Sequence, residues 1–189
     1  MTKKVVLGIV LTAMLCTLLI TYKHLQQPTE KDVMNITKNW SDSAKEVYLI
    51  RETDEQWQTI FRNSQSVIIA KLKQNWLGTW KLSEKGTLSS TYYPPLEDDQ
   101  ITWSASGKSK ENVSYYFGVI IDPEIVKITV ETQKGIFENA QIIKSDGLRF
   151  FLKKAHGPIY LPVNISCYSK SEELIYSSKF PVHKKVIVQ

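Results

Sequence analysis

Two side chains in this sequence are of the types that make a thiol catalyst: Cys167 as nucleophile and His156 as base. Such a pair performs acyl transfer only when the imidazole reaches the sulfur and keeps it ionised. The surrounding pattern argues for something plainer. In LPVNISCY, the residues Leu161, Val163, Ile165 and Cys167 alternate onto one strand face, where a cysteine serves as a small core residue. His156 precedes Gly157-Pro158, an exposed turn, while His24 borders an apolar run and His183 lies in the tail.

Other chemical signatures fail at identifiable positions. Ser106-Gly107-Lys108-Ser109 copies the end of a phosphate-binding loop, but Thr102 stands where its first glycine belongs and a hairpin follows instead of a helix. There is no G-x-S-x-G elbow, no S-x-x-K pair and no H-E-x-x-H zinc helix. Glu97, Asp98 and Asp99 form a consecutive triplet, whereas a calcium loop needs acids at alternating positions around a glycine bend. The two cysteines, Cys16 and Cys167, give neither a disulfide framework nor a zinc site within one chain. No catalytic, cofactor-binding or metal-ligating residue is therefore assigned, and no cofactor is expected. Two carboxylates brought together by folding leave no local motif, so that chemistry stays open.

The elements that would position any site begin with an anchor. Val5 to Tyr22 reads VVLGIVLTAMLCTLLITY without a charge, and as a helix it would extend about 27 Å, enough for a thin hydrocarbon core. The alternatives are a cleaved secretory signal, for which Ile20 to His24 supply no small-residue cleavage site, and lipidation at Cys16, which lacks small residues before it. Lys3 and Lys4 favour a cytoplasmic amino end, which leaves the chain from about Thr29 outside the membrane. Lipid is thus the first expected partner, through Val5 to Tyr22. Only Met1 to Lys4 would remain inside, too few residues for a cytosolic effector domain.

Location also reinterprets the charge. The formal +5 of the 189-residue chain falls to +2 over residues 29–189, with bases scattered among acids and no nucleic-acid-binding motif, so nucleic acid is not an expected partner. Lys179, Lys184 and Lys185 read as a solvated tail, with contact to anionic envelope polymers as the alternative. Four N-x-S/T matches begin at Asn35, Asn39, Asn112 and Asn164; 21 lysines against 3 arginines and the missing disulfides point instead to bacterial export.

Beyond the anchor, Thr29 and Asp32 make a capping pair, and Val33, Ile36, Trp40, Ala44 and Val47 recur at helical spacing, predicting a helix over Glu30 to Ala44. Strands follow at Glu46 to Thr53, Gln56 to Arg62, Ser66 to Lys73 and Gly78 to Ser83, with turns at Asp54-Glu55 and Asn63-Ser64. The stretch EKGTLSSTYYPPLEDDQ opposes a central strand; its Tyr92 and Tyr93 either pin a connector or offer an aromatic contact. Then come Ile101 to Ala105, a turn over Gly107 to Asn112, the doubly apolar VSYYFGVII, Ile125 to Thr132, Ile136 to Lys144, a Ser145-Asp146-Gly147 hairpin into LRFFLKK, Ile159 to Tyr168 and Glu173 to Lys179. The fold class this gives is mainly β: an N-terminal transmembrane helix, a helix-plus-meander α+β lobe, and a β-sandwich-like lobe. The expected divisions are an anchor over 1–28, the meander lobe over 29–86, a linker over 87–100 and the sandwich over 101–189, with independent cores.

The stretches VYLIRETDEQWQTIFRNSQSVIIAKLKQNWLGTWKLSEKG, ITWSAS, FGVIIDPEIVKITVE and VNISCYSKSEELIYS resemble uncharacterised membrane-anchored extracytoplasmic proteins of low-GC Gram-positive bacteria. The likeness covers most of the chain after the anchor and rests on strand texture, the LGTWKL strand and the FGVIIDPEI turn. It implies an envelope location and carries no catalytic residue. The functional expectation is a non-enzymatic, membrane-tethered binding module. The alternatives are a regulator of a membrane complex acting through the helix, where Gly8, Thr12 and Ala13 would permit close approach, and an envelope hydrolase with dispersed carboxylates.

Overall fold

The computed structural model describes residues 3–53, 56–108 and 112–179, with backbone alone at 84–86 and 108. The Asp54-Glu55 turn, part of the 107–112 turn, Ser109, His183, Lys184 and Lys185 lie outside the described residues. Helix α1 runs Lys3–His24 and α2 Glu30–Thr37. The Thr29 capping box is complete: the Thr29 hydroxyl accepts from Asp32 N, and the Asp32 carboxylate accepts from Thr29 N at 2.8 Å. α2 stops one turn after Val33, short of the expected Ala44. The Thr37 hydroxyl donates to the Val33 and Met34 carbonyls and accepts from Ala44 N at 3.1 Å, so Ala44 is tied to the last turn of the helix without belonging to it.

Strands β1 (Glu46–Thr53), β2 (Gln56–Arg62), β3 (Ser66–Gln74) and β4 (Trp80–Tyr92) form the antiparallel meander expected of them. β4 is nine residues longer at its far end than the strand foreseen there, and it absorbs Thr87–Tyr92, the start of the expected linker. Two register shifts against β3 let the strand continue past Gly86. The remaining strands are β5 (Ile101–Lys108), β6 (Val113–Ile120), β7 (Lys127–Gln133), β8 (Ile136–Asn139), β9 (Gln141–Ser145), β10 (Leu148–His156), β11 (Ile165–Tyr168) and β12 (Leu174–Ser177). They make two four-stranded sheets, β5-β6-β10-β9 and β12-β11-β7-β8. The single strand expected over Ile136 to Lys144 is two strands. β8 pairs with β7, the chain crosses at Ala140, and β9 pairs with β10 in the other sheet. The hairpin between β9 and β10 turns on Asp146 and Gly147, both at positive φ, the backbone that a two-residue Asp-Gly turn requires.

Stacking of the three sheets puts β5-β6-β10-β9 in the middle. One of its faces packs Val113, Tyr115, Phe117, Phe150 and Leu152 against Tyr48, Ile60, Val67, Ile69 and Leu88 of the meander. Its other face packs Tyr116, Ile120 and Phe151 against Ile128, Val130, Ile165 and Cys167 of the third sheet, the expected sandwich. VSYYFGVI is consequently buried on both sides, as its uniform apolarity predicted. The outer face of the meander holds α2 through Val33, Phe61, Ile68 and Leu72. The meander and sandwich therefore meet in a common core, where separate cores were expected. Alternation within β2 and β3 makes both their faces apolar, and a single short helix covers only one of them.

Candidate functional site

The thiol and imidazole are not a pair. Cys167 is fully buried in the second core, and burial pushes its thiol up to about 12, while His156 is exposed at the end of β10. Strand β11 begins only at Ile165. Pro162 has no N–H to give a ladder, and Leu161, expected on the buried face, is 72% exposed. The acidic triplet is structural at Asp99, whose carboxylate accepts from Tyr92 OH at 2.7 Å and Leu96 N at 2.6 Å. Tyr93 lies under the Arg62 guanidinium, 4.9 Å from centroid to Cζ, so both tyrosines pin the connector. Among the described residues no cluster of histidine, cysteine and acid suits a metal ion.

Two carboxylates are well buttressed, though not together. Glu131 accepts from Gly135 N at 2.8 Å and Asn164 Nδ2 at 3.0 Å, which hold its carboxyl below the usual range. Glu138 is lowered likewise, first by Lys153 at 2.5 Å and then by Thr132. In the β7–β8 register Glu138 pairs with Val130 and Glu131 with Phe137, which puts the two acids on opposite faces of the sheet.

The surface that converges lies where the common core runs out. Across β1, β2 and β3, the apolar row Leu49, Ile60, Ile69 is followed two residues along by Arg51, Gln58, Lys71, in register and on the same face. Opposite them on the middle sheet, Phe117 and Leu152 give way to Tyr115 and Lys154. Gln141 and Lys153 close the rim of this cleft of about 440 Å³. Its described lining holds Arg51, Lys71 and Lys154, together with Lys153, which is already paired with Glu138. Arg51 donates to Gln141 Oε1 at 3.2 Å, yet its Nε is buried without a partner, as is Gln58 Oε1. Burial lowers the Arg51 pKa, the mark of a cation held partly out of water. A guanidinium fork with two flanking ammonium groups matches phosphate or carboxylate oxygens. The sequence analysis missed these residues because only strand register aligns them.

Two further cavities differ in kind. One of about 730 Å³ separates the end of α1 from the meander and mixes Glu52 with Lys71 and Lys73 between Trp57 and Trp80. The other, about 340 Å³, is apolar and lies beside Tyr93, Pro95, Val119 and Leu148; its Arg149 is engaged by the carbonyls of Ile125 and Asp122. Comparison with protein-family models, with curated proteins and with solved structures found no match to this chain.

Proposed function

We propose that this chain is a membrane-tethered, extracytoplasmic binding module of the bacterial cell envelope, with the cleft between its first two sheets taking an anionic ligand. The tether is α1, long and apolar enough to cross a membrane. Lys3 and Lys4 in its first turn favour a cytoplasmic amino end. The carrying observation is the cross-strand row Arg51, Gln58, Lys71 facing Lys154, polar at positions that continue a buried face. Phosphate and carboxylate polymers are the envelope chemistry such a row would recognise. A second reading, a regulator of a membrane complex, is favoured by the direct bonding of Gln74 in the meander to the end of α1, since a helix partner would then be felt by the whole body.

The test uses the full chain in vesicles of neutral lipid, with a glycerol-phosphate polymer as probe. The binding reading expects saturable binding that weakens with salt, and a loss of about tenfold or more in Arg51→Gln/Lys71→Gln. Lys127→Gln, at the exposed Lys127–Glu172 pair, is expected to bind as the parent does. Exchange of α1 for an unrelated anchor leaves binding intact if the cleft is the functional part. Equal binding by the double variant and the parent overturns this assignment.

A further inference from the structure

The β3–β4 turn is built tightly and docked on the end of α1. Asn75 Oδ1 accepts from Leu77 N at 3.0 Å and Thr79 N at 2.9 Å, and Gly78 N donates to Asn75 O at 3.0 Å. Gly78 has φ +75°, and a Cβ there would stand 2.7 Å from Lys23 Cβ, so the turn touches the helix without space for a side chain. Gln74 Nε2 donates to Lys23 O at 3.0 Å, which also accepts from Gln26 N, and to Gln26 O at 3.3 Å just past the helix. His24 bonds Gln74 Oε1 through Nδ1 and Trp76 O through Nε2, each at 3.2 Å. At the tip, Trp76 is 76% exposed and Leu77 40% exposed, just beyond a β3 that is largely buried.

A largely exposed indole beside a partly exposed leucine, on a turn held this rigidly, presents an apolar tip outward from the body. Their position supplies the reason. The apolar surface of α1 continues to Tyr22, 62% exposed, and Lys23 follows it, the order in which a spanning helix leaves hydrocarbon for headgroups. The turn is fixed against that residue. We infer that Trp76 and Leu77 are a second membrane contact, seated at the headgroup–acyl boundary of the leaflet from which α1 emerges. The indole body lies in the apolar layer with its N–H toward the headgroups. This inference rests on the membrane placement of α1 proposed above.

Nitroxide labels separate the two. On a Cys16→Ala background, with Cys167 buried, single cysteines replace Leu15, Leu77 and, as an aqueous reference, Ile136, which is 49% exposed on the third sheet. Each full-length variant is reconstituted into phosphatidylglycerol–phosphatidylcholine vesicles. Relaxation by oxygen is compared with relaxation by a water-soluble nickel chelate. The ratio at 77 is expected to be several-fold above that at 136 and below that at 15. A membrane value at 15 with an aqueous value at 77 overturns the turn's insertion and leaves the tether standing. Aqueous values at both positions overturn the tether as well.

Discussion

Helix α1 and strand β6 are both unbroken apolar runs, and they meet opposite fates. β6 extends about 27 Å at strand rise and is covered by the meander on one face and the third sheet on the other. α1 extends about 33 Å, and none of its side chains is buried; Ile20 is half-covered and Val5 to Leu19 and Tyr22 are exposed. Both segments are apolar on all sides, β6 with aromatic and α1 with aliphatic side chains; the difference in fate is whether the rest of the chain supplies cover. A run of eight residues satisfies its backbone only in a ladder, where neighbouring sheets can seal it. A run of 18, Val5 to Tyr22, in a helix satisfies its own backbone and needs only an apolar solvent.

The largest effect expected from breaking this contrast is removal of the meander. A fragment spanning residues 100–189 strips one face from the middle sheet and exposes Tyr115, Phe117 and Phe150. It is expected to be insoluble or to give a collapsed amide NMR spectrum. Well-dispersed peaks would show that the sandwich closes without the meander. A matched pair of substitutions comes next. A Cβ at Gly118 in β6 would lie 1.9 Å from Thr102 O and 2.5 Å from Phe151 Cε1, whereas nothing lies within 4 Å of one at Gly8 in α1. Gly118→Ala is expected to cost about 3 kcal/mol or more in urea unfolding of the body, and Gly8→Ala nothing measurable.

The smallest expected effect lies on the outer face of the third sheet, where burial is polar. Hydrogen bonds from Gly135 and Asn164 lower the Glu131 carboxyl in the folded chain, so the stability it contributes is present above the unfolded carboxylate pKa of about 4.3 and is lost as pH falls through the folded value. The drop in urea midpoint between pH 7 and about pH 3 is expected to be shallower in Glu131→Gln than in the parent. An identical drop would remove Glu131 from the acid response.

Much of this architecture is legible in the sequence. Thr29 and Asp32 announced α2, Asp146-Gly147 announced its hairpin, and the uniform apolarity of VSYYFGVI announced a strand covered twice. What stayed hidden was set by partners distant in sequence. The change of sheets at Ala140 leaves no mark, since Ile136–Asn139 and Gln141–Ser145 each read as ordinary strand. Gly86 and the serines after it looked like a strand's end, yet β4 runs through them by shifting register against β3. The cationic row was the hardest to see. Arg51, Gln58 and Lys71 each interrupt an alternation by one residue, a trivial event in any single strand. They acquire meaning only when the registers β1–β2 and β2–β3 bring them side by side.

Gln74 and His24, which bind the meander to the end of α1, also decide how freely the body can turn. Residues 25–29 would otherwise act as a short swivel, and the cleft would point anywhere over a hemisphere. With that swivel bypassed, Lys71 in the cleft stands three residues back along β3, about 10 Å from the Gln74 that is bonded to the helix end. Orientational freedom is given up when the chain folds, before any ligand arrives. With α1 in a membrane and the cleft as the binding site, as proposed above, recognition would be nearly two-dimensional: a ligand lying along the surface would meet a cleft already fixed relative to the helix, and little further entropy would be lost on capture.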